Sequence, residues 1–200
     1  MMLKLTKGYS VSKPELLEEG FMQTSDVSII ANVDADKIKD VLQHFIVLHE
    51  EPMFFILELP VTSDREEEIA PGVVGETHKD IYYIDGCSQE ACLVLLERYG
   101  ELLINDGISS FGFGGHESQD EIMVCAYNIL TIYSQKLEGY ADFYEIHKIW
   151  KKDNLVTAWD TFTLDTPGHS ERYELDGKTV FDLPEALKEW NIYLAETRVE

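Results

Sequence analysis

Residues 111–123, FGFGGHESQDEIM, place His116, Glu117, Asp120 and Glu121 within six positions of one another. A histidine beside carboxylates can bind a divalent ion or pass a proton, because its proton affinity lies near neutrality. The three glycines ahead of them raise a second possibility, a phosphate loop. That needs a helix after the glycines, so that backbone N–H groups and the helix dipole meet the anion. The following residues, EIMVCAYNILTIYS (121–134), read as a strand, and the Lys-Ser/Thr pair of a nucleotide loop is missing. A phosphate site is therefore set aside.

The plainer reading is structural. In SFGFGG, Phe111 and Phe113 point one way while Gly112 and Gly114 leave the other face bare. Glycine on one face of a strand marks close approach by another backbone, a bulge or a bend, and here a helix or the neighbouring segment is expected to sit close. HESQD then forms a polar turn. No HExxH and no GxSxG elbow accompanies His116. His44, His49, His78 and His169 occur singly and read as surface or capping residues, and His147 as a half-buried histidine on an aromatic stripe. DADKIKD (34–40) lacks the glycine and terminal glutamate of a calcium loop. No metal and no cofactor is expected. A second group of candidate binding residues is acidic: Asp64, Glu66, Glu67 and Glu68, in the loop 60–79.

The elements that must carry these residues follow from periodicity. Alternation over 26–33 gives a strand, and Ile38, Val41, Leu42, Phe45 and Leu48 give a helix capped by Asp34. MFFILEL (53–59) and DIYYID (80–85) are strands. Ser88 caps a helix with the stripe Cys92, Leu95, Leu96, Tyr99, Leu102, Leu103, which Asn105-Asp-Gly stops through residues tolerant of the left-handed region. Strands at 108–115 and 121–134 complete an α+β unit over 26–134. Its antiparallel sheet would follow the split β-α-β-β-α-β, ferredoxin-like order. Residues 135–200 form an extension: a helix over 136–152, a strand over 155–164, a hairpin over 171–183 turning at Asp176-Gly177, and a last helix opened by Asp182, Pro184 and Glu185. The extension packs on the core, giving one domain of helix–hairpin–helix character beside the sheet.

Charge restricts function. Thirty-eight acidic against sixteen basic residues leave −22 at pH 7. Such a surface repels nucleic acid and anionic lipid and attracts basic proteins. Cys87, Cys92 and Cys125 have no metal-ligand spacing and suit a reducing compartment. No apolar leader opens the sequence and no run is long enough to span a bilayer, so a cytoplasmic location is expected.

The segments DIYYIDGCSQEACLVLLERYGELLINDGISSFGFGGHESQDEIM and YNILTIYS, within residues 79–134, resemble small acidic cytosolic proteins of Gram-positive bacteria. Some of these are similar to immunity proteins encoded beside secreted toxins. The resemblance implies a bacterial protein-binding role and assigns no residue a function. Three functions stay open: a module that binds a basic protein, a small hydrolase or metal-dependent enzyme using residues 116–121, and a ligand-binding regulatory module. The charge and the missing catalytic signature favour the first.

Overall fold

Eight strands, every neighbouring pair antiparallel, make the sheet on which the rest of the chain packs. The computed structural model describes residues 2–62, 65, 66, 68–70 and 73–199. In chain order the sheet strands are β1 Gly20–Ser25, β2 Ser28–Asn32, β3 Met53–Pro60, β4 His78–Cys87, β5 Ser110–Gly115, β6 Glu121–Cys125, β7 Ile129–Tyr133 and β8 Tyr193–Val199. They lie side by side as β8-β4-β3-β5-β6-β7-β2-β1. The α+β class and antiparallel sheet agree with expectation, but the order does not follow the split β-α-β-β-α-β core. That core would set β2 among β3, β4 and β5, whereas the hairpin of β6 and β7 lies between β5 and β2.

Two helices, α1 (Ile38–Leu48) and α2 (Gln89–Asn105), pack on each other and on one face of the sheet. Strand alternation sends Met53, Phe55 and Leu57 of β3, with Phe111 and Phe113 of β5, into this layer. Ser88 caps α2 as expected, its hydroxyl accepting the Ala91 N–H at 3.0 Å. The end of α2 differs. Asp106 is extended rather than left-handed, and its carboxylate accepts from the N–H groups of Ile108, Ser109 and Tyr173. At α1 the helix starts four residues after Asp34, which builds a turn by accepting the Asp36 N–H. The α1 stripe ends on His49, 7% exposed, rather than on Leu48, 54% exposed. Phe45 and His49 are four residues apart, which keeps them on one face.

The opposite sheet face carries a smaller cluster: Ile56, Ile81 and Met123, with Phe54, Tyr83 and Cys125 packed against it. All six come from strands. Gly112 and Gly114 lie on this face, and their bare positions are filled by the neighbouring strands and the 115–120 turn rather than by a helix. A Cβ on Gly114 would fall 2.1 Å from Cζ of Phe54, its partner across β3. One on Gly112 would fall 2.1 Å from the Ile122 carbonyl oxygen and 2.5 Å from the Met123 sulfur.

Beyond residue 125 the expected elements break up. The strand proposed for 121–134 is two, folded back at Ala126–Asn128, where Tyr127 and Asn128 hold φ of 59° and 61°. The helix expected over 136–152 is a chain of tight turns, with 3-10 segments at Leu137–Tyr140 and Glu145–His147 and a left-handed Lys148. Its aromatic residues Tyr140, Phe143 and Tyr144 are nonetheless buried. Residues 155–164 hold a 3-10 turn, Ala158–Thr161, capped by Thr157 and Asp160, not a strand. The Asp176-Gly177 turn exists, with φ of 52° and 75°, but only the Leu175–Lys178 bridge flanks it. The capping box belongs to Thr179 and Asp182, and the last helix shrinks to α3, Leu183–Ala186. Tyr193 and Leu194 then open β8, an exposed edge strand that pairs with β4.

Candidate functional site

The turn from β5 to β6 closes through the Gly115 N–H on the Asp120 carbonyl (3.0 Å), with Gln119 at φ 60°. The turn divides the four candidates between two cavities. His116 and Glu121 line a cavity of about 310 Å³ on the strand-only face, with Phe54, Gln119 and Tyr133. Glu117 and Asp120 line a different cavity of about 460 Å³, beside the end of α1. The four therefore do not form one acid–base site. His116 instead pairs with Asp85 at 3.1 Å, both half exposed.

Asp120 meets two residues that the sequence did not single out as functional. Tyr140 Oη donates to Asp120 Oδ2 at 2.9 Å and lies 2.8 Å from His49 Nε2, which is itself 3.3 Å from Asp120 Oδ2. The other ring nitrogen, Nδ1, donates to the Phe45 carbonyl at 2.7 Å, since a carbonyl can only accept. Burial, and after it the Asp120 charge, push the Tyr140 phenol far above its ordinary value, so the hydroxyl stays protonated. His49 Nε2 thus lies within hydrogen-bond distance of both Tyr140 Oη and Asp120 Oδ2. The group joins the end of α1, the 115–120 turn and the Leu137–Tyr140 turn. The available signal was the continuation of the α1 stripe from Phe45 to position 49.

The acidic loop is placed in part. Asp64 and Glu67 lie outside the described residues, and Glu68 begins a short strand, Glu68–Ala70, paired with Val73–Val74. Glu66 is turned inward: it accepts the His78 N–H at 2.7 Å and meets His78 Nδ1 at 2.7 Å. Desolvation opposes its ionisation, but these His78 hydrogen bonds hold the carboxyl below its usual range. Next to it Arg65 pairs with the buried Asp80, which also accepts from Thr197 of β8 at 2.6 Å. Glu66 is thus a fastening rather than a free rim charge.

His44 of α1 and His147 share a hydrogen bond of 2.9 Å, with Phe143 stacked on His44 at 4.7 Å. Burial holds His44 below its ordinary value; burial and then the His44 charge do the same for His147, with Asp40 opposing and Lys37 adding slightly. A histidine depressed in the folded state takes up protons more readily when unfolded, so its stabilisation is present above about pH 6.5 and is lost as pH falls below that. Melting temperature should therefore drop between pH 7 and 5.5, above the range where the depressed carboxylates Glu66 and Asp80 titrate. His147→Asn should flatten that drop. An equal drop in both proteins would refute the assignment.

Among the described residues no group of three or more His, Cys, Asp or Glu side chains is placed to hold a metal ion. Nor is any described helix long and apolar enough to cross a membrane. No family model, no curated protein and no solved structure matches the chain.

Proposed function

We propose that the protein is a cytoplasmic acidic module that binds a basic protein partner, in the manner of an immunity protein that neutralises a toxin, rather than an enzyme. The observation that carries this reading is the closed circuit at His49, Asp120 and Tyr140. Of the four candidates read from the sequence, Asp120 is taken up by Tyr140 and His49, and His116 by Asp85, so no histidine and carboxylate among them face a common substrate. A catalytic base needs a nitrogen or oxygen left for the substrate. The net charge of −22 supplies the complementary attraction. The resemblance of residues 79–134 to acidic bacterial proteins supports the same reading.

The test begins with capture of partners from the native organism and continues with association kinetics on the purified partner. Expected is a basic protein whose association rate falls steeply between about 0.1 M and 1 M salt, as the Debye length shrinks from about 10 Å to about 3 Å. Glu117→Lys should slow association more than it speeds dissociation, since Glu117 is exposed and enters no ion pair among the described residues. Recovery of no partner, together with turnover of a small substrate abolished by Asp120→Asn, would turn the assignment to the enzyme. The cavity beside Asp120 is what favours that second reading.

A further inference from the structure

Four residues from adjacent strands form a row across the strand-only face. Phe54 of β3 pairs with Gly114 of β5, Gly114 with Glu121 of β6, and Glu121 with Tyr133 of β7. Directly opposed residues in such a ladder keep their Cβ atoms about 5 Å apart. The missing side chain at Gly114 lets the Phe54 ring lean across its position, toward Glu121. His116, which also lines the cavity, lies beside the ring at 5.2 Å between centroids. Tyr133, 48% exposed, flanks Glu121 from the other side. A carboxylate thus stands between two aromatic residues in the cavity of about 310 Å³.

No described residue donates a hydrogen bond to the Glu121 carboxylate or forms an ion pair with it. Desolvation, and after it the charge of Glu58, raise its pKa above the ordinary value. Arg198, the cation that counters this in part, is engaged by Glu58 at 2.6 Å and by Glu196 at 3.8 Å. A half-buried anion without a donor costs stability, and it persists where a ligand supplies the missing partner. Aromatic faces on either side select a flat cation over a compact one. A guanidinium is planar, stacks on aromatic rings and offers a carboxylate two parallel N–H donors, whereas an ammonium does neither.

We propose that this cavity receives an arginine side chain of the protein partner, with Glu121 accepting the guanidinium and Phe54 and Tyr133 stacking on it. The assignment rests on the basic-partner reading above and names the group that enters. It also assigns the glycines of residues 111–115 a part in recognition, because Gly114 is what allows Phe54 to form one wall.

The test titrates the isotope-labelled full chain with a blocked Gly-Arg-Gly peptide, its citrulline counterpart and its lysine counterpart. Backbone resonances of Gly115, Glu121 and Tyr133 report the cavity. Expected are saturable shifts with the arginine peptide, none with citrulline, and weaker binding with lysine. Glu121→Gln, which keeps the side-chain shape, and Tyr133→Leu, at an exposed position, should each weaken arginine binding by about tenfold or more. Equal binding of the citrulline or lysine peptide, shifts confined to the Asp120 cavity, or binding indifferent to Glu121→Gln would overturn the proposal. The salt dependence of partner association, measured separately, decides the basic-partner reading whichever way the titration falls.

Discussion

Asn128→Ala is expected to destabilise the protein by roughly 4 kcal/mol, lowering the melting temperature by about 10 °C. Asn128 is 1% exposed and ends the tight fold-back between β6 and β7. Its side-chain oxygen accepts the Thr6 N–H at 2.9 Å, and its amide donates to the carbonyls of Lys4 (3.0 Å) and Val33 (2.9 Å). Thr6 and Val33 are buried, so truncation leaves two backbone groups without water to replace the lost partner, at about 1–3 kcal/mol each. Lys4 is exposed and loses less. The backbone adds to this, because φ is 61° and alanine pays about 1 kcal/mol in the left-handed region where asparagine is tolerated. Asn128→Gly removes the same hydrogen bonds without that strain, so it should be the milder of the two. Urea denaturation of both variants checks the argument. A loss under about 1 kcal/mol for Asn128→Ala would mean that the fold-back does not depend on this side chain.

That asparagine also explains why the sheet order was not legible. The chain reverses at Ala-Tyr-Asn, which contains neither glycine nor proline, and the residues next to it, Met123-Val-Cys and Ile129-Leu, are apolar. Nothing local separates it from one long strand, because what fixes the reversal is the contact with residues 4–6 and 33, far off in sequence. Where structure is local, the sequence reading held: Ser88 caps α2 through its own first turn, and β3 runs through MFFILELP. The aromatic stripe of 136–152 was expected on one helix, but it lies on successive tight turns that bury Tyr140, Phe143 and Tyr144 and leave Trp150 exposed. Their spacing fits both a helix and successive 3-10 turns, and tertiary packing decided between them. Tyr193 and Leu194 fitted a helical face with Trp190. Asn191 instead takes φ 60° and breaks the run, and β8 follows along β4. At the candidate site, the residues of 116–121 were conspicuous by composition, yet the turn sends them to two faces. His49 and Tyr140, which complete the Asp120 circuit, lie 71 and 20 residues away from it in sequence.

Gly112→Val is the substitution on the glycine stretch expected to cost most, about 3 kcal/mol, the upper end of ordinary overpacking. A Cβ there would lie 2.1 Å from the Ile122 carbonyl oxygen, and that oxygen belongs to the backbone of the neighbouring strand β6. It cannot swing aside without parting the β5–β6 ladder. At Gly114 the nearest atom is the tip of the Phe54 ring, whose side chain can rotate away, although the Asp120 carbonyl follows at 2.8 Å. Gly114→Ala should therefore cost less stability than Gly112→Ala, yet do more to the Glu121 cavity, because it displaces the ring that forms its wall. Melting temperature ranks the first effect, with a fall of about 6–12 °C expected for Gly112→Val. The arginine-peptide titration ranks the second. If Gly112→Val melts within about 1 °C of the parent, β6 does not approach the bare face as closely as the geometry requires.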